Sequence, residues 1–198
     1  KRFREVISIE ELKEWYQKLL DEYHKWLSYQ KKWKEERNHS LQSLEFPFSY
    51  REGQRKMVSS VYHAIGASRQ IFIQAPTGVG KTMSTIFPAV RAVGEGKGET
   101  IFYLTAKTIT RTVAQEGFEV LREKGMKYKV VTITAKEKLC FMDETKCDPV
   151  HCPYARGHFD RVNDAVYELW TTKSRYDRET IREQAEKWQV CPFEMCLD

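Results

Sequence analysis

The chain has 198 residues, 41% hydrophobic and 13% aromatic, enough to bury a core and to make one domain with an appendage, which excludes disorder throughout. It has no run of about 18 apolar residues, and its first stretch, KRFREVISIE, lacks the apolar centre of a signal peptide, so no membrane-spanning or secreted class is supported. The net charge of +5 is unevenly spread: residues 47–135 hold 13 Lys and Arg against 6 Asp and Glu, whereas 1–46 hold 10 against 9 and 136–198 hold 10 against 13. Any attraction for phosphate polymers is thereby localised to the middle of the chain.

The first residue is Lys1 rather than Met, which points to sequence removed upstream. No Pro or Gly occurs before Pro47, and Ser8 followed by Glu11 forms a capping box ahead of Leu12, Tyr16, Leu19, Tyr23, Trp26, Gln30 and Trp33. Those alternating steps of four and three predict a helix of roughly 25 to 30 residues, about 40 Å long, with one aromatic seam for packing.

After EFPFSY the pattern alternates. Strands are expected at Gln70 to Gln74, Thr100 to Leu104 and Tyr128 to Thr134, with helices from Gly80 to about Ala92 and from Thr108 to Lys124. Such an order predicts an α/β fold with a parallel sheet and right-handed crossovers. From Ala135 the character changes: all five cysteines lie beyond it, with helices expected at about 158 to 173 and 177 to 188, the latter capped by Asp177. That segment reads as an insertion or satellite domain.

The stretch APTGVGKT, Ala75 to Thr82, lies between an expected strand and an expected helix. Gly78 and Gly80 let the backbone curl so that N–H groups of Thr77, Gly78, Val79 and Gly80 face phosphate oxygens, and the helix N-terminus adds its dipole. Lys81 is placed to reach the β- and γ-phosphates of ATP, and Thr82 to offer its hydroxyl to Mg²⁺. The first position is Ala75 rather than the usual glycine, a form that resembles the helicase P-loop more than that of kinases or GTPases. Upstream, FPFSYREGQ places Gln54 27 residues before Lys81. Its amide can both donate to and accept from an adenine edge, with Phe48 or Tyr50 available for stacking, and it resembles the helicase Q motif. Downstream, YLTAKTITRT puts Thr105, Lys107 and Thr108 at a strand-to-helix junction suited to a nucleic-acid phosphate, as in helicase motif Ia; Thr108 serves equally as a simple N-cap.

Cys140, Cys147, Cys152 and Cys191 have irregular gaps, and Pro153 and Pro192 follow two of them. That spacing leaves iron–sulfur and zinc both open, with His151 a further zinc donor and Cys196 a spare buried thiol. KEKLCFMDE, CPYARGHFDRVNDA and VCPFEMCLD, in this order behind the P-loop, resemble the iron–sulfur insertion of the XPD and DinG branch of superfamily two DNA helicases, closest to bacterial DinG-like members, over about Phe46 to Asp198.

The resemblance implies a partial RecA-like P-loop lobe with a parallel sheet, preceded by a linker helix (1–46) and followed by a mainly helical cluster domain (136–198), with 47–135 as the first half of motor lobe one. It implies a [4Fe-4S] cluster on Cys140, Cys147, Cys152 and Cys191, and an ATP-dependent 5′ to 3′ motor acting on single-stranded DNA and duplex junctions in DNA repair, in the bacterial cytoplasm at the nucleoid. The rest of the helicase chain, with its second motor lobe, would be a partner. No acidic box or second lobe follows Cys191, so this length of chain alone is expected not to turn over ATP. Lys136, Lys138 and Lys146 could offset cluster charge or meet DNA phosphate, while Phe141, Tyr154 and Phe159 are expected to pack rather than wedge between bases. The competing class is a metal-containing DNA-binding module whose P-loop only senses nucleotide.

Overall fold

A computed structural model describes residues 7–197, Thr108 by its backbone alone. The chain divides into two compact units, one ending at Glu35 and one starting at Glu36.

The first unit holds most of α1 (Ile9–Gln42). Its start is the expected capping box: the Ser8 backbone N–H donates to Glu11 Oε2 at 2.7 Å, and the Glu11 N–H donates to Ser8 Oγ at 3.2 Å. Two otherwise orphaned N–H groups are thereby satisfied. The helix is longer than expected, 34 residues, because no Gly or Pro interrupts it before Pro47. Leu12, Tyr16, Leu19 and Tyr23 of the aromatic seam are exposed.

The second unit contains two apolar cores. The first is built by α2 (Gln54–Gly66), α3 (Lys81–Gly94) and α4 (Thr108–Glu123) together with the last turn of α1. Leu41, Ile86, Val90, Leu121 and Met126 sit at its centre, each almost fully buried. The second gathers α5 (Lys136–Leu139), α6 (His158–Thr172), α7 (Arg178–Trp188) and α8 (Pro192–Leu197) around Leu139, Ala165, Ile181, Ala185 and Val190. α7 begins where expected, Asp177 Oδ1 accepting from the Thr180 N–H at 3.0 Å.

The sheet differs from expectation. Among the described residues it has two short strands, β1 (Val130–Val131) and β2 (Arg175–Tyr176), paired in parallel with Val130 opposite Arg175. Residues 70–74 and 100–104 have no strand assignment. The 100–104 segment keeps the strand period of two: Ile101 and Tyr103 pack on the first core while Phe102 and Leu104 stand 79% and 87% exposed. A strand also needs a hydrogen-bonding neighbour, and a hydrophobic pattern does not supply one. The neighbour that β1 finds comes from between α6 and α7, with the Val130 N–H donating to Ser174 O (3.0 Å) and the Thr132 N–H to Tyr176 O (2.8 Å). Beside this pairing, Lys129 Nζ donates to Lys173 O (3.0 Å), to Tyr176 Oη (3.1 Å) and to Trp170 O.

Candidate functional site

The P-loop closes as its glycines allow. Gly78 and Gly80 have φ of 85° and 77°, the left-handed region that favours glycine. A Cβ at Gly80 would also collide with the Gln54 amide nitrogen. Gln54, which is 3% exposed, therefore packs directly on the turn that leads into α3. Its Oε1 accepts from the Arg51 backbone N–H at 3.0 Å, fixing the amide's orientation.

Lys81, the first residue of α3, folds back over the loop: Nζ donates to Ala75 O (2.9 Å) and Pro76 O (2.8 Å). An incoming phosphate would exchange those neutral carbonyls for charge-assisted bonds. Thr82 follows in the first turn and is half-buried, while Thr77 leads into Gly78 and Val79 stands between the two glycines. Arg51, which the sequence reading passed over, donates from its guanidinium to Gly78 O. Its only signal in the sequence was its place within YREGQ.

Of the two candidate stacking rings, Tyr50 already has one face against Phe46, with centroids 4.3 Å apart and an interplanar angle of 12°. Its other face and Phe48, which is 55% exposed, are the surfaces open to a base.

The motif Ia residues lie at the entrance to α4. Thr105 is half-buried and Lys107 exposed. Lys107, not Thr108, is the N-cap: it is extended (φ −134°, ψ 145°), makes no side-chain capping bond, and Thr108 is already helical. The simple N-cap reading of Thr108 is thereby corrected, because the turn closes through Lys107 O, which accepts from the N–H groups of Thr110 and Arg111. The Thr108 side chain lies outside the described residues.

Cys140, Cys147, Cys152 and Cys191 line one small cavity with Lys136 and Phe141. Four separate elements deliver them: the end of α5, the 143–149 loop, the turn before α6, and the start of α8. Among the described residues no group of three or more His, Cys, Asp or Glu side chains has metal-holding geometry. A hydrogen bond with Cys147 is the main cause raising the Lys136 ammonium above its usual pKa, so Lys136 competes for that thiol. Burial pushes the Cys191 thiol up; its backbone N–H donates to His158 Nδ1 at 3.2 Å. The four cysteines nevertheless share one cavity, and no carboxylate residue lines it.

Other predicted residues fall elsewhere. His151 Nδ1 pairs with Asp148 at 2.8 Å, and His151 does not line the cavity. Cys196 is buried in the second core. Phe141 and Tyr154 pack against each other with ring centroids 4.6 Å apart and planes tilted by 35°. Phe159 does not join the core: it is 84% exposed and meets the His158 ring edge-on, with centroids 5.1 Å apart, since the apolar stripe of α6 that meets the core runs through Val162, Ala165 and Leu169.

Comparison with known proteins follows this geometry. The sequence model of the DEAD/DEAH box helicase family matches residues 51–153, a span running from Arg51 through the P-loop and beyond Cys152. The chain is 29% identical over 123 residues to a protein of Methanocaldococcus jannaschii named "Probable ATP-dependent helicase", covering 60% of this chain and 18% of that one. The chain thus spans less than a fifth of the length of that relative. No solved structure matches it. No helix among the described residues is long and apolar enough to cross a membrane.

Proposed function

Because the chain belongs to the DEAD/DEAH box helicase family, we propose that its P-loop binds ATP with Mg²⁺ and that the whole protein is an ATP-dependent DNA helicase moving 5′ to 3′. The observation that supports this reading is the close approach of the Gln54 amide to Gly80 in the P-loop turn. In this proposal the N–H groups from Thr77 to Gly80 cradle the phosphates, Lys81 leaves the carbonyls of Ala75 and Pro76 for the β- and γ-phosphates, and Thr82 ligates Mg²⁺. Gln54 reads adenine, with the free face of Tyr50 or Phe48 beneath the ring.

Thr105, Lys107 and Thr108 hold the phosphates of single-stranded DNA near duplex junctions, a contact that positions without reading sequence. Residues 1–46 serve as a linker helix, 47–135 as the first half of a RecA-like lobe and 136–198 as a cluster domain, working with the second lobe of the parent chain at the bacterial nucleoid.

Cys140, Cys147, Cys152 and Cys191 would hold a [4Fe-4S] cluster. When bound, such a group supplies a covalent cross-link between distant parts of the chain, and its role is structural. The four thiols on one cavity support this reading; Lys136 would give up Cys147 and remain as a positive charge beside the thiolates.

Titration with a fluorescent non-hydrolysable ATP analogue tests the nucleotide site. Mg²⁺-dependent binding is expected, weakened about 10- to 100-fold by Lys81→Ala, the worth of a charged hydrogen bond or two. Equal affinity in the two proteins would refute the assignment. Iron analysis and absorbance near 400 nm on anaerobically purified protein test the cluster, and zinc without iron would favour the binding-module class instead.

A further inference from the structure

Arg182 touches neither nucleotide loop nor thiol, yet it contacts the backbone of both residues at the end of α5. Its Nη1 donates to Leu139 O at 2.7 Å and to Cys140 O at 3.1 Å. The guanidinium carbon stands 4.4 Å from the centroid of the Phe141 ring. α5 is a single turn of four residues, too short to satisfy its own final carbonyls, so a donor from elsewhere is required. A guanidinium can bridge two carbonyls and cover an aromatic face at once because it is planar and carries several N–H groups; a lysine ammonium is a compact point charge and cannot do both.

The position of this side chain gives the contact its reach. Phe141 leans on Tyr154, and both rings line the cavity shared by the four thiols. α7, which carries Arg182, ends at Trp188 and runs through Gln189 and Val190 into Cys191. One side chain therefore ties the peptide of the first cysteine to the helix that delivers the fourth.

We propose that Arg182 is the positioning residue of the thiol site: it fixes Cys140 relative to Cys191 and so sets how firmly a thiolate-ligated metal group is held. This rests on the iron–sulfur reading above. Outer contacts of this kind change metal retention about 10- to 100-fold in other sites. The guanidinium donates to the backbone carbonyl of Cys140 at 3.1 Å, so a cluster held on that cysteine would feel its positive charge and have a raised potential.

The test compares the full chain, purified without oxygen, with Arg182→Gln, Arg182→Lys and Glu183→Gln. The last removes an exposed carboxylate of the same helix, which faces Lys173 Nζ at 3.7 Å. Iron per chain, the rate of bleaching near 400 nm under an iron chelator and the midpoint potential are measured for each. Arg182→Gln is expected to bleach at least about tenfold faster and to shift the potential downward. Arg182→Lys should recover the potential but not the retention, and Glu183→Gln should stay within about twofold of the parent on both, as for other exposed sites.

Bleaching of Arg182→Gln at the parental rate, or an equal loss in Glu183→Gln, overturns the assignment. Should the parent carry zinc, the iron–sulfur reading falls while the same comparison on zinc release still decides the role of Arg182. A parent that binds neither metal overturns both.

Discussion

Gly94 and Leu41 meet with no room for a methyl group between them: a Cβ added to Gly94 would lie 2.5 Å from Leu41 Cβ and 3.2 Å from the Gln42 backbone nitrogen. The approach is fastened from both sides, with Gln42 Nε2 donating to Gly94 O at 2.7 Å and Arg91 Nη1 donating to the carbonyls of Leu44 (3.2 Å) and Gln42. The last turn of α1 is therefore clamped to the far end of the P-loop helix. Alanine in a helix is ordinarily better than glycine by about 1 kcal/mol. Here Gly94→Ala is expected to destabilise by about 1–3 kcal/mol, since backbone must move to admit the methyl. A lower urea midpoint checks it; a higher one contradicts the packing.

Glu168 gives the second core an acid limit. Hydrogen bonds from Lys187, Trp188 and Gln184 pull its carboxyl down to about 2. A carboxylate with a lowered folded pKa contributes stability that is complete above the unfolded value of 4.5 and is lost as pH falls through about 2. Fluorescence of Trp188 should report loosening of α7 against α6 across that window, and Glu168→Gln should flatten the response. An unchanged acid profile in the variant would remove Glu168 as its source.

Lys129 acts in the opposite pH range. Burial brings its ammonium down to about 8 from 10.5, so between those values the folded chain binds fewer protons than the unfolded one. Its contribution to stability accordingly rises with pH from about 8 and is complete above 10.5. The melting temperature of the parent relative to Lys129→Met should increase between pH 7 and pH 10. A constant difference would mean that Lys129 does not titrate in that range.

Phe159 is 84% exposed at the start of α6, its ring meeting that of His158 edge-on. Under the helicase proposal, Phe159→Ala in the whole protein should reduce affinity for single-stranded or forked DNA by about 5- to 100-fold, the worth of one stacked base. Stability should change by no more than about 0.5 kcal/mol, as for other exposed sites. Fluorescence anisotropy and thermal melts measured together separate the two effects.

Much of the helical framework could be read from local chemistry. Ser8 with Glu11 and Asp177 with Thr180 are side-chain-to-backbone bonds within three residues, and the P-loop turn required only that glycines stand where φ is positive. Relationships across the chain were not legible. Ile71 to Ile73 and Phe102 to Leu104 have strand-like composition, but the ladder partner of β1 is Arg175–Tyr176, two residues without any alternating pattern. Arg51 and Arg182 carry no motif signal of their contacts, because nothing in a sequence says which distant carbonyl a long guanidinium will reach. Phe159 shared the apolar count of α6 although its place in the first turn points it away from the core. The set of four cysteines is what the resemblance implies, and their common cavity is a property of the folded chain alone.

The pairing of β1 with β2 also determines how the molecule responds to cutting. Everything from residue 132 to 174 is a closed excursion whose two ends are stitched side by side by the bonds from Val130 to Ser174 and from Thr132 to Tyr176. A protease that nicks the exposed stretch around Asp143 to Thr145 would sever the polymer without separating its halves. The fragments should elute as one species from a sizing column and part only in denaturant.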